Sequence, residues 1–488
     1  MKEFLVTLND WLWNPLVVLA LGLGVVLTIL TRGVQIRRLP DMLRQLRAGE
    51  RSEAGISSFQ ALTLTLSSRI GVGNIAGVAT AIAAGGPGAL FWMAVMAFLG
   101  GATAFVESTL AQIYKTKADG KYWGGIPYYI EKGLRKKWLA VVAAVTALGL
   151  YGVLAPGIQS NNIAAGFDTA MGISPWITGL VVVGLFGFVV FGGRKRIVAV
   201  ADTVVPIMAV GYVLAALVVV LVNISEVPDM IALVLSSAFG TDSVFGGIIG
   251  AAIAWGVRRA LFSNVAGVGE GTYGAAAAEV SHPAKQGLVQ SFSIYIDTLF
   301  VCMATGLMIL ITGKYNVQPE GAAPLVNNLD GVAAGPAYTQ EAINSVFAGV
   351  GPHFVAIALA LFAFTTLVAF YYIAETSLTY LTRGTRRQGL QHGTRAVMLG
   401  VIFYGAVESP DLVWAIGDVG YAALAWVNMV CIVFLAKPAL IALRDYDEQR
   451  RLGLDPQFDP TKLGIANADY WVGRAAGGIQ ETRSEVRD

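Results

Sequence analysis

Apolar runs recur along nearly the whole chain, separated by short polar or charged links. Each is about the 20 residues that an α-helix needs to cross a bilayer. About eleven such spans fit the pattern: Asn14–Thr31, Ser57–Ala84, Ala89–Tyr114, Trp138–Gly166, Pro175–Phe191, Val198–Val222, Met230–Trp255, Leu288–Ile311, Pro352–Thr379, Ala396–Val407 and Leu412–Leu435. The tenth is short and is expected to extend into its flanks. Two spans are not uniform. Span two holds Ser67-Ser68-Arg69-Ile70-Gly71-Val72-Gly73-Asn74-Ile75-Ala76-Gly77 in its middle. Its glycines lower the cost of leaving helical geometry, and unwound backbone survives at membrane depth only where protein or a water-filled cavity covers it. Close helix packing accounts for the Gly73/Gly77 spacing. It does not account for Arg69 and Asn74, because polar groups at that depth are costly and usually functional. Span seven holds Ser236-Ser237-Ala238-Phe239-Gly240, Asp242 and Phe245-Gly246-Gly247, and a second break is expected there.

The links orient the spans. Lys and Arg crowd the links after spans one, three, five, seven and nine, and the tail. The links Gly85–Gly88, Phe167–Ser174, Asn223–Asp229 and Glu408–Asp411 are nearly free of them, and the long region Gly313–Gly351 holds only Lys314. The positive-inside rule then places the N-terminus outside and the C-terminus in the cytoplasm. Gly313–Gly351 is expected to form an external cap with short helices, and the tail beyond Gln457 to be poorly ordered. The start of the chain lacks the features of a cleaved signal peptide, so the first helix is expected to be retained.

Spans two and seven share a Ser-Ser pair, clustered glycines and embedded polar groups, and lie five spans apart in opposite orientations. The expected organisation is residues 1–56 as an extra helix and cytoplasmic linker, 57–229 and 230–440 as two inverted five-helix repeats, and 441–488 as a cytoplasmic tail. An all-α membrane protein built on that plan suits a secondary transporter, with solute held at the midplane between the repeats. Chance likeness between glycine-rich spans is the alternative.

Composition agrees. The chain has 488 residues, 55% hydrophobic and 14% charged, with mean hydropathy +0.63; a soluble protein carries roughly a quarter charged residues. Cys302 and Cys431 lie in apolar runs and imply no disulfide or metal framework. The histidines, His282, His353 and His392, form no metal-spaced set. No phosphate-binding Gly-x-x-x-x-Gly-Lys-Ser/Thr pattern and no nucleophile elbow occurs, so no cofactor and no enzymatic reaction is expected. Topology explains the basic loops without nucleic acid.

Several stretches resemble the alanine or glycine:cation symporter family. They are Gly71-Val72-Gly73-Asn74-Ile75-Ala76-Gly77-Val78-Ala79-Thr80, Gly85-Gly86-Pro87-Gly88, Gly124-Gly125 with Tyr128-Tyr129-Ile130-Glu131-Lys132-Gly133, Leu261-Phe262-Ser263-Asn264 with Ala266-Gly267, His282-Pro283 with Gln286-Gly287, and Phe364-Thr365-Thr366. The resemblance covers most of the chain between residues 10 and 440. It implies a leucine-transporter-like core of two inverted repeats preceded by one extra helix. It also implies sodium-coupled uptake of a small neutral amino acid, alanine or glycine, across the cytoplasmic (inner) membrane. The chain departs from the family at Val265, where Glu is usual, at Glu270 before Gly271-Thr272, where a small residue and a proline are usual, and at Phe370, where Trp is usual.

By resemblance, the Gly71, Gly73 and Asn74 backbone meets the amino-acid carboxylate, and sodium sits near Ile70, Gly73, Thr365 and Thr366. A freed helix N-terminus suits a carboxylate, and backbone carbonyls and hydroxyls are hard oxygen ligands. The threonines can instead bond their own i−4 carbonyls. Gln159 can serve the substrate or make an interhelical hydrogen bond. Phe245, Gly246, Ile248 and Ile249 can form a tight apolar wall that admits a methyl side chain, with ordinary packing as the rival and Phe239 as the alternative to Phe245; Phe370 borders the pocket. Glu107, Asp297, Glu375 and Asp418 are candidates for gating pairs. Sodium is the expected coupling ion and a proton the alternative. A channel or a membrane-embedded enzyme fits less well, and a monomer in the lipid bilayer is expected.

Overall fold

The computed structural model describes residues 2–47, 52, 54–319, 323–383 and 388–475. The expected tail therefore lies outside the described residues from 476 onward. The chain is mostly helical. Among the described residues, seven helices are long and apolar enough to cross a membrane: Phe4–Leu30, Gly88–Ile113, Lys137–Met171, Gly193–Val222, Pro283–Ile311, Gly351–Leu381 and Pro410–Arg451. Shorter helical pieces lie among them: Ser58–Arg69, Gly73–Gly85 and Pro175–Phe191, Ile249–Asn264 and Gln388–Val407. Gly88–Ile113, Pro283–Ile311 and Gly351–Leu381 are the most enclosed. Peripheral helices leave large apolar side chains bare, with Phe188, Ile207 and Phe434 each 69% exposed. Apolar exposure on this scale suits helices long enough to cross a membrane.

Local chemistry sets the ends of the first broken helix. Ser57 Oγ accepts from the Gln60 amide at 3.2 Å and Gln60 Oε1 from the Ser57 amide at 3.3 Å, a reciprocal cap. At the far end Gly86 takes φ 72. Gly88 then passes so close to the next outer helix that a Cβ would lie 2.6 Å from the Ala238 amide nitrogen. Within Lys137–Met171, the turn Leu150–Leu154 widens just before Pro156, whose ring nitrogen donates no hydrogen bond.

The seventh apolar run is reorganised relative to the expectation. Met230–Trp255 is not one span broken at Ser236–Gly247. A helix covers Val227–Ala238 and a looped outer turn follows. Ile249–Asn264 then runs nine residues past Trp255. The break comes at Val265–Glu270, before the short helix Gly271–Ala277. Arg258 and Arg259, read as loop cations, are buried. Arg259 pairs with Asp418 through two contacts of 3.0 and 3.3 Å and stacks near Trp255 and Trp414. Arg258 reaches Asp10 at 3.4 Å.

Two other regions refine the expectation. The cap between Gly313 and Gly351 contains the helix Pro336–Asn344 and also a small pairing of Asn316–Val317 with Val326–Asn327. The tail beyond Gln457 was expected to be poorly ordered, yet it packs as far as Ala475. Phe458 and Trp471 are buried, the Trp471 indole donates to Gln112 O at 2.8 Å, and Arg474 pairs with Glu279 at 2.8 Å. Its apolar anchors outweigh the charged composition.

Candidate functional site

The helix Ser58–Arg69 ends at Ile70, whose ψ of 92 is extended, and helical backbone resumes as a wide turn over Gly73–Gly77. The amides freed at the break are taken up by side chains. Gly71 N donates to Asn74 Oδ1 at 2.8 Å, and Val72 N donates to Gln159 Oε1 at 3.2 Å from span four. The freed carbonyl of Ile70 accepts from Thr366 Oγ1 at 3.3 Å, and that hydroxyl also reaches its own i−4 carbonyl, Phe362 O, at 2.9 Å. Space is tight. A Cβ on Gly71 would lie 2.6 Å from Thr366 Oγ1 and 3.1 Å from Gln159 Oε1, and one on Gly73 would lie 3.1 Å from the Phe262 ring. Gln159, Asn74, Thr365 and Thr366 are all buried.

The structure thus brings Ile70, Gly71, Gly73, Asn74, Gln159 and Thr366 together. Thr365 is on the same turn but points elsewhere, bonding Phe362 O at 2.9 Å with Met208 Sδ at 3.8 Å. Phe370 packs on Tyr151 with ring centres 5.1 Å apart. Tyr421 joins this aromatic group, 6.2 Å from Tyr151 and 4.7 Å from Phe262. Phe245, Gly246, Ile248 and Ile249 do not join the break. Phe245 and Ile248 lie against Gly86 at the turn 85–88, and Ile249 is 36% exposed. Their sequence break is an outer turn, which explains the displacement.

The second break uses left-handed backbone: Val265 takes φ 49, Gly267 φ 84 and Gly269 φ 93. A β-branched residue rarely holds such a value, and its presence marks local strain. Side chains from other helices hold the turn. Glu107 accepts from the Gly267 amide and from Asn428 Nδ2, both at 3.1 Å, while the same Asn428 amide donates to Gly267 O at 2.9 Å.

One anchor was visible in the sequence only as an isolated acid. Asn74 Nδ2 donates to Asp297 Oδ1 at 2.7 Å and to Asp297 O at 3.1 Å. Asp297 also accepts from Ser263 at 3.0 Å and from Thr298 at 2.7 Å. It therefore ties the first break to Ile249–Asn264, just ahead of the second. Arg69, beside the break, donates to Gln290 O and the Ser293 hydroxyl. What this arrangement offers is neutral oxygen ligands and backbone amides, with the Asp297 carboxylate beside them, at a buried crossing of two interrupted helices.

The family model described as the sodium:alanine symporter family matches residues 1–460. A Bacillus subtilis (strain 168) protein named putative sodium/proton-dependent alanine carrier is 56% identical over 472 residues, spanning 96% of this chain and 98% of the relative. A sodium/proton-dependent alanine carrier of Bacillus sp. (strain PS3) is 50% identical, over 88% of this chain and 97% of the relative. A sodium/alanine symporter of Methanococcus maripaludis is 37% identical, over 91% and 97%.

Proposed function

The chain belongs to the sodium:alanine symporter family, and we propose that it carries a small neutral amino acid, alanine or glycine, inward with Na⁺ by alternating access. The observation that carries this reading is the set of freed backbone groups at Ile70–Val72, met by Gln159 and Thr366 from two other helices. The amides of Gly71 and Val72 suit a carboxylate. On substrate entry, the carboxylate replaces Gln159 Oε1 at Val72 and Asn74 Oδ1 at Gly71. The carbonyls of Ile70 and Phe362 and the Thr366 hydroxyl are hard, neutral oxygen donors that fit Na⁺. Gly73 adds room for the ion, and Thr365 joins after a change of rotamer. Phe370, Tyr151, Phe262 and Tyr421 close the space around a methyl side chain. Phe245, Gly246, Ile248 and Ile249 act at the outer entrance.

The rest of the architecture belongs to the same proposal. The shorter helical pieces complete about eleven crossings, arranged as one extra helix and two inverted repeats, each with a broken helix. The N-terminus lies outside and the C-terminus inside the inner membrane, and the carrier works as a monomer. Ion and solute favour the same closure of the broken helices, which is reciprocal coupling between two sites. No covalent chemistry is involved. The names of two relatives also mention protons, which keeps proton coupling as a second reading. Uptake of labelled alanine into proteoliposomes tests both. The expected result is saturable uptake driven by an imposed sodium gradient and stopped when that gradient is collapsed. Uptake that follows only a proton gradient overturns sodium coupling, and unsaturable flux overturns the carrier.

A further inference from the structure

Next to the first break, Thr65, Ser68, Glu270, Gly274 and Tyr372 line a cavity of about 10 Å³, space for roughly one water molecule. Glu270 is 1% exposed, and neither of its carboxyl oxygens has a hydrogen-bond partner. Thr65 Oγ1, the Tyr151 hydroxyl, and Nε and Nη2 of Arg69 are also buried and unpartnered. Arg69 Nη2 would lie 2.6 Å from a Cβ on Gly271, adjacent to Glu270. The orphaned atoms of Glu270 and Thr65 line this small cavity, with those of Tyr151 and Arg69 beside Glu270, a gathering that indicates a site with an exchangeable occupant.

Charge identifies the occupant. Glu107, Glu270 and Asp297 are all buried, and Arg69 is the cation that interacts with all three. Three carboxylates facing one guanidinium leave excess negative charge in a low-dielectric interior, and a further cation must neutralise it. Asp297 is supplied with donors by Asn74, Ser263 and Thr298. Glu107 receives Gly267 N and Asn428. Glu270 has only the Ser68 and Tyr151 hydroxyls facing it, neither completing a hydrogen bond.

The geometry points to Glu270 as a proton-exchange site of the transport cycle, holding a proton while the helices are closed and releasing it to cytoplasmic water when Gly271–Ala277 moves away. In the closed arrangement the hydroxyls of Ser68 and Tyr151 face its O–H as acceptors, and Thr65 lines the same cavity. The charged groups that face it are Arg69 from the first broken helix, Glu107 from Gly88–Ile113 and Asp297 from Pro283–Ile311. The phenols that face it are Tyr151, Tyr273 on its own short helix and Tyr421 from the last long helix, and Tyr372 from Gly351–Leu381 lines the cavity. A proton suits this cavity better than Na⁺, because it needs no ligand shell beside a guanidinium.

The inference rests on the symport reading, and one experiment separates the two. Full-length protein is placed in proteoliposomes with a trapped pH dye, and labelled alanine is added under a sodium gradient. The parent should show alanine-dependent proton movement and an uptake rate that varies with pH. Glu270→Gln should abolish the proton movement and flatten the pH profile, while Glu270→Asp should keep both with a shifted midpoint. Proton movement that persists in Glu270→Gln overturns the assignment. So does a parent with normal sodium-driven alanine uptake but no proton movement. If Glu270→Gln inserts poorly, an unshifted midpoint in Glu270→Asp overturns it instead. A radioactive sodium-to-alanine ratio that falls in Glu270→Gln, with the pH profile kept, assigns the site to Na⁺ and also overturns it. A parent without sodium-driven alanine uptake sinks the symport reading itself, and the proton site's role with it.

Discussion

Three glycines in one stretch allow a graded test of the first break. A methyl group at Gly71 would sit 2.6 Å from Thr366 Oγ1 and 3.1 Å from Gln159 Oε1. The first distance is not tolerable, so the Thr366 hydroxyl must turn away, while Gln159 must give by a few tenths of an ångström. That breaks Thr366 to Ile70 O and stretches Val72 N to Gln159. The substrate carboxylate replaces Gln159 at Val72 in the loaded site, so only the Thr366 bond counts there; at about 1 kcal/mol for one neutral hydrogen bond, Gly71→Ala costs the loaded site about 1 kcal/mol. With 1.4 kcal/mol per factor of ten, half-maximal uptake should need roughly 5 times more sodium or alanine. The added methyl also favours continuous helix by up to about 1 kcal/mol, which acts in the same direction. Gly77→Ala is the control: its Cβ would meet nothing nearer than 3.9 Å, so uptake should match the parent. At Gly73 the nearest atoms are Phe262 Cδ1 at 3.1 Å and Ser263 Cα at 3.2 Å; alanine there should be partly defective, and leucine should abolish uptake while the protein still inserts. The assay is sodium- and alanine-titrated uptake in proteoliposomes, with circular dichroism to confirm retained helix. A Gly71→Ala protein that needs no more sodium or alanine than the parent refutes the reasoning and moves the site away from Ile70–Val72.

Further outcomes follow from the same geometry. Thr366→Val should raise the sodium needed for half-maximal uptake about tenfold, the equivalent of one strong hydrogen bond, and Thr365→Val should raise it less, because only Thr366 contacts Ile70 O; equal effects would contradict that difference. Ser225→Cys should react with an impermeant maleimide from outside intact cells and Lys121→Cys only after the inside is opened, both native positions being exposed; the reverse pattern would invert the topology. Burial holds the His282 imidazole below its ordinary value of 6.5, against the opposing pull of Asp445, and its Nδ1 accepts the Ala284 amide. The unfolded chain therefore takes up this proton first, so the contribution to stability is full above about pH 6.5 and declines as pH falls through that value. Thermal unfolding in detergent should show the decline, and His282→Ala should reduce it.

The spans were legible because lipid imposes a simple requirement, and the first break because glycines adjoin Arg69 and Asn74. The second break was misplaced for an equally physical reason. Its first left-handed residue, ahead of Gly267 and Gly269, is Val265, which no propensity argument would select, and it follows two arginines that look like a cytoplasmic link. Arg259 is inside because Asp418, 159 positions away, meets it with two hydrogen bonds. Asp297 was visible as an acid in an apolar run, but its partner Asn74 lies 223 positions earlier. Composition alone likewise hid the tail's docking, since Phe458 and Trp471 are scattered among charges that find partners on the body, such as Arg474 on Glu279 and Asp455 on Lys285. A single cation or acid in an apolar run is therefore ambiguous. It signals a loop if water solvates it and a span if an opposite charge waits at the same depth. That distinction is tertiary. It explains why the charges that remain imperfectly matched, Glu270 foremost among them, are the ones that point to an exchangeable ion rather than to a structural pair.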